Sequence, residues 1–241
     1  MKINNLKLLV LVLLSIGVQS CTEPVEVKSA EDVIKKMEAE YHGKWYPHMT
    51  FRQATSFYKG DSLQRQQTWY EAATIGEGLI IKFDSIPSGS GLLFKNDTMY
   101  VYQMGKLVQQ SFRVHDILEL GFNVYKQAPE LSIKKLKTAG IDFDFFDQTE
   151  RHYLLGNPAV KQAFIEKERM VFTKIISING EKTSRIEFNN YQQLGEGWIA
   201  PEVLFFTNDT MTVKEEYFDI KMPETLPGNL FDASRFSEVV W

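Results

Sequence analysis

Leu79, Ile81 and Phe83 alternate with Ile80, Lys82 and Asp84, and the run is entered through Gly76-Glu77-Gly78. Alternation with a period of two, bounded by glycine and small polar residues, is the signature of a half-buried antiparallel strand. The surrounding chain repeats this grammar. Strands are expected at residues 49–58, 63–75, 79–83, 91–94 and 98–103, with a short one near 107–110. They resume at 151–155, 159–165, 171–178, 183–193, 202–207 and 211–220. Asn-Asp-Thr-Met occurs at 96–99 and again at 208–211. Asn and Asp tolerate positive φ, so both sites are read as tight hairpin turns, and Asn179-Gly180 is a further hairpin signal. These echoes are too short to make a repeat architecture.

Helical spacing appears in two places. Ser29 and Glu31-Asp32 precede Val33, Ile34, Met37 and Tyr41, which is a capped amphipathic helix that Gly43 should end. From 113 to 126, Val114, Ile117, Leu118, Gly121, Phe122 and Tyr125 fall at helical spacing. After Pro129, Leu131, Ile133, Leu136 and Ala139 do the same, up to Gly140. Val114, Ile117, Leu118, Phe122, Leu131 and Leu136 are expected to face the sheet, because a helix with one apolar stripe buries it. Asp142 to Asp147 reads as an acidic-aromatic link. The fold class is therefore α+β, mainly β: a large curved antiparallel sheet, a half-barrel of about twelve strands, covered by a few helices. Residues 29–241 are expected to form a single domain with a helical insert at 113–140.

The start of the chain has a different character. Lys2 and Lys7 precede an apolar run at residues 8–14 and a small-residue end, the pattern of a secretory signal over residues 1–20. The apolar run is too short to span a bilayer. The single cysteine, Cys21, follows Val18-Gln19-Ser20, which resembles a bacterial lipobox. Acylation of Cys21 would anchor the chain to a membrane, since each buried methylene contributes about 0.8 kcal/mol. Residues 21–28 then read as a tether, and Thr22 in place of aspartate favours the outer membrane. One cysteine excludes an intrachain disulfide and a cysteine-ligated metal site. The formal net charge is -4, and -6 without Lys2 and Lys7, which argues against nucleic acid as a partner.

Several stretches carry a likeness to a known family. They are the helix before the first strand, Trp69-Tyr70-Glu71-Ala72, and Leu92-Leu93-Phe94 leading into the Asn96-Asp97 hairpin. Later come Phe164-Ile165-Glu166-Lys167-Glu168, Gly197-Trp198-Ile199-Ala200-Pro201 and Leu226-Pro227-Gly228-Asn229-Leu230-Phe231-Asp232. In pattern the chain resembles the outer-membrane lipoprotein-sorting superfamily of LolA/LolB-type half-barrels. That family includes a periplasmic lipoprotein carrier, its lipid-anchored receptor and many small lipoproteins. The resemblance implies a half-barrel with an apolar concave face under helices, able to take acyl chains such as palmitate.

No catalytic or cofactor signature stands beside this pattern. The four histidines, His42, His48, His115 and His152, do not form a zinc motif, and no metal or cofactor is expected. Ser88-Gly89-Ser90-Gly91 lacks the nucleophile-elbow spacing and reads as a loop. Asp142, Asp144, Asp147 and Glu150 lack the glycine and closing glutamate of a calcium loop, and read as a solvated link. Strand aromatics usually build core. As a set, however, Trp69, Ile81, Phe83, Phe94, Tyr102, Phe188 and Phe205 are expected to floor an apolar cavity on the concave face. The reading is a non-enzymatic, lipid-anchored envelope protein that binds an apolar or acylated ligand, either lipid or lipoprotein acyl chains. The alternative is a structural or accessory envelope lipoprotein with a filled sheet, acting through protein partners. A hydrolase using carboxylates that the sequence does not place is a third reading.

Overall fold

A computed structural model describes residues 26–241. Helix α1 (Ala30–Tyr41) begins where expected, because the Ser29 hydroxyl accepts from the Asp32 N–H at 3.2 Å. Glu31 and Asp32 in its first turn suit the positive end of the helix dipole. One face buries Val33, Ile34, Met37 and Tyr41.

Six strands then form an antiparallel meander: β1 (His48–Lys59), β2 (Ser62–Thr74), β3 (Gly78–Phe83), β4 (Gly91–Lys95), β5 (Thr98–Gln103) and β6 (Lys106–Phe112). The insert follows as α2 (Asp116–Gly121), a single 3-10 turn (Asn123–Tyr125) and α3 (Pro129–Thr138). A second antiparallel run starts with β7 (Phe146–Gln148), β8 (His152–Leu155), β9 (Lys161–Glu166), β10 (Val171–Asn179) and β11 (Lys182–Asn189). After a separate hairpin, β12 (Gln192–Leu194) with β13 (Gly197–Ile199), it ends in β14 (Glu202–Thr207) and β15 (Thr210–Lys221).

The main sheet has thirteen strands in the order β6-β5-β4-β3-β2-β1-β15-β14-β11-β10-β9-β8-β7. β15 pairs with β1, so the first and last strands meet in the middle and join the two runs. The sheet is a curved, open half-barrel, as the alternation implied. The repeated Asn-Asp turns carry positive φ at Asn96, Asp97, Asn208 and Asp209, the conformation of tight hairpins.

Four local readings are corrected. Residues 183–193 are not one strand, because the chain turns at Asn190 with φ 60° and starts the β12–β13 hairpin. The link at 142–147 contributes β7 to the sheet edge. The first insert helix is shorter than its apolar spacing suggested, since His115 is extended and caps α2 from outside. Leu131 is 43% exposed and does not face the sheet, while Leu136 is fully buried.

Both faces of the sheet are covered in part. On the helix side, Tyr41, Trp45, Tyr46 and Tyr125 form an aromatic cluster, with Trp45 stacked on Tyr125 at 3.7 Å. Their hydroxyls are anchored: Tyr41 donates to Arg169 O at 2.5 Å, Tyr46 to Trp198 O at 3.0 Å and Tyr125 to Met170 O at 3.1 Å. On the opposite face, Leu230, Phe231, Phe236 and Val239 of the C-terminal segment pack on Ala72, Ile80, Leu93 and Tyr102. Gly91 permits this close approach, because a Cβ there would lie 2.0 Å from Ile81 O and 3.0 Å from the Phe236 ring. Lys82 is buried under the same segment, donating to Ser88 O at 2.9 Å and to Phe236 O.

Candidate binding cavity

The aromatic cluster does not fill the helix-side face. Under α2 a cavity of about 390 Å³ remains. Register places its walls. In β2, Trp69, Glu71 and Ala73 share the inward phase, while Tyr70 and Ala72 take the other. Glu71 pairs with Phe51 of β1 and Ile81 of β3, so those side chains stand beside it on one face. Leu92 and Phe94 continue the floor on β4. Ile186, Phe205, Glu215 and Tyr217 close it from β11, β14 and β15, and Met49, Gln53 and Leu79 complete the sheet side.

The roof is Ile117 and Leu118 of α2 and Phe122 just past its end, with Asp116 at its start and Arg113 and His115 before it. His115 starts the helix by accepting the Leu118 N–H on Nδ1 at 3.4 Å, with its ring edge-on to Phe94 at 4.7 Å. Burial lowers its pKa to about 4, so the ring is neutral at ordinary pH. The roof is pinned on two sides. Asp116 pairs with Lys161 of β9 at 2.6 Å. Lys135 of α3 bridges Glu119 of α2 and Asp97 of the β4–β5 turn, each at 3.2 Å.

The sheet floor is mainly apolar, and Gln53, Glu71, Glu215 and Tyr217 are the polar groups on it. Glu71 is 4% exposed, and among the described residues no group hydrogen-bonds its carboxyl; burial first, and the Glu215 charge second, raise its pKa well above the usual carboxylate range. Burial pushes Glu215 up to about 7, although Tyr217 donates to it at 3.3 Å. Trp69 Nε1 is also buried without a partner.

Of the seven residues expected to floor a cavity, Trp69, Ile81, Phe94 and Phe205 line this one. Phe83 shares their face but packs against Trp69 at 5.0 Å, at the margin. Phe188 lies further along β11, against Phe172 at 4.9 Å. Tyr102 is a correction: it lies on the opposite face, stacked on Phe236 at 4.0 Å with its hydroxyl donating to Ala233 O at 2.6 Å. Both faces of β5 are partly apolar, so alternation alone does not say which one points inward. Glu71 and Glu215 were not among the expected site residues. Glu71 left a signal, an acidic residue in phase with Trp69 and Ala73; Glu215, inside Lys214-Glu215-Glu216, left none. The expected signal at 1–20 and the anchor Cys21 lie outside the described residues. Among the described residues no helix is long and apolar enough to cross a membrane.

No family model matches this chain, and no curated protein matches it in sequence. Solved structures do match it in fold. An outer membrane lipoprotein-sorting protein domain from Vibrio parahaemolyticus aligns with a TM-score of 0.59 at 13% identity, covering 86% of this chain and 97% of that one. A DUF1329 family protein from Desulfovibrio piger aligns with a TM-score of 0.58 at 11% identity, covering 86% and 97%. A LolA superfamily protein from Nitrosomonas europaea gives 0.54 at 13% identity, covering 85% and 98%. The likeness read from the sequence is thus a likeness of fold, along most of the chain, to these three structures.

Proposed function

We propose that this protein is a non-catalytic binder of apolar or acylated chains, tethered to the envelope through acylated Cys21, at the outer membrane. The observation that carries the reading is the cavity of about 390 Å³ between sheet and α2. Its size falls in the range of small-molecule sites, roughly 300–1,000 Å³. Binding there would be driven by burial, at about 0.8 kcal/mol per methylene removed from water. The fold shared with a domain described as outer membrane lipoprotein-sorting, and with a LolA superfamily protein, supports the same reading.

The test is titration with N-phenylnaphthylamine, a neutral dye that brightens in apolar surroundings. The wild type should bind it and release it to long-chain alkyl ligands. Ile117→Trp places a larger apolar side chain in the roof and should weaken dye binding by about tenfold or more while the folded spectrum is kept. A wild type that binds neither dye nor alkyl chain would overturn the reading in favour of a structural role.

A further inference from the structure

An apolar cavity intended only for hydrocarbon has no use for a buried carboxyl. Glu71 lies on its floor, 4% exposed and without a hydrogen-bond partner among the described residues. A buried polar group left unpaired is costly, and the cost is relieved when a ligand supplies the missing partner. Glu215 lines the same cavity from β15, on the far side of β1; it stands beside Thr55, four residues along β1 from the Phe51 that stands beside Glu71, and it already accepts from Tyr217. We propose that the cavity selects an amphiphile whose apolar chain carries a primary ammonium group, held by the carboxyl of Glu71, with Glu215 adding negative charge from β15.

This rests on the binding role above and specifies its ligand class. An ammonium offers three donors and a positive charge, which the Glu71 carboxylate can accept. Charge-assisted hydrogen bonds strengthen in a low-dielectric site. Ammonium entry displaces a proton from the carboxyl pair to solvent. A fatty-acid headgroup would meet the Glu215 charge above about pH 7.

The other charged groups around the cavity do not reverse this preference. Asp116 is paired with Lys161 at 2.6 Å. His115 is neutral, since burial holds it near 4. Burial keeps the Tyr217 phenol protonated. Arg113 is exposed at the rim, 5.9 Å from the Phe94 ring, where water and salt screen an anionic head. Burial brings Glu215 to about 7, so the pair carries more negative charge at pH 8 than at pH 5.

The experiment is displacement of N-phenylnaphthylamine by dodecylamine, dodecanol and dodecanoate. At pH 8 the wild type should release dye to dodecylamine at a concentration about tenfold or more below that for dodecanol, with dodecanoate weakest. That advantage should shrink at pH 5, where dodecanol is unaffected. In the Glu71→Gln, Glu215→Gln double variant the amine should lose its advantage over dodecanol, and a circular dichroism spectrum and a cooperative melt like those of the wild type show that the variant is folded. Should the double variant not fold, the wild-type comparison of the three ligands decides alone. Equal release by amine and alcohol, tighter binding of dodecanoate, or an amine preference that survives the double substitution each overturns the proposal while leaving an apolar site. Failure of all three ligands to release dye overturns the binding role as well.

Discussion

Glu215 and His115 face the same cavity and respond to pH in opposite directions. The Glu215 pKa is raised from 4.5 to about 7, so the folded state holds its proton more tightly than the unfolded chain. Its stabilising contribution is complete below pH 4.5 and is lost as pH rises through 7. The His115 pKa is lowered from 6.5 to about 4, so its contribution is complete above pH 6.5 and is lost as pH falls through 4. Between pH 4.5 and 6.5 the two slopes oppose each other. Glu215→Gln should remove one slope. Melting curves are expected to show the variant more stable than wild type at pH 8 by on the order of 2 kcal/mol, and losing stability from pH 7 to pH 5 more steeply than wild type. A variant with the wild-type pH profile would contradict this account. Such pairings were hard to see in advance. Glu71 breaks an apolar phase and can be noticed, but Glu215 sits among charged neighbours, and only the register of β15 turns it inward.

Among elements, those most legible in the sequence are strands with one dry face and turns with a fixed chemistry. β3 and the Asn-Asp hairpins are examples, and α1 was marked by its cap. The insert was legible as helix but not in its bounds. Apolar spacing continues through Val114, but the His115 cap starts α2 only at Asp116. The C-terminal segment was the least legible. Nothing local in Leu230-Phe231 says that the segment crosses to the outer face and seals Lys82 and Tyr102. Phe236 is 1% exposed and contacts both. Phe236→Ala should therefore cost about 3–5 kcal/mol in denaturant unfolding, from lost burial and the cavity left behind. Dye binding on the opposite face should be unchanged. A loss of dye binding without loss of stability would mean that the two faces are coupled in a way this packing does not provide.

On the scale of the whole molecule, an acylated N-terminus would hold the half-barrel close to the membrane from which its ligands would come. The short distance between Cys21 and Ser29 makes that tether brief. Cys21→Ser is expected to move the protein from the membrane fraction to the soluble fraction, with its melting temperature unchanged because Cys21 lies ahead of α1, the first helix described. Wild-type protein with a mature N-terminus anywhere other than Cys21 would refute the anchor.

The meeting of β1 and β15 in the middle of the sheet also has a consequence in time. β1 is made early and β15 nearly last, at an elongation rate of about 5–20 residues per second. For on the order of ten seconds during synthesis, β1 has no partner on one side. Its twelve residues then present an open edge that other chains can pair with. The sheet cannot be joined before β15 has been made, so the protein is safest when it is kept from folding until that strand has left the ribosome.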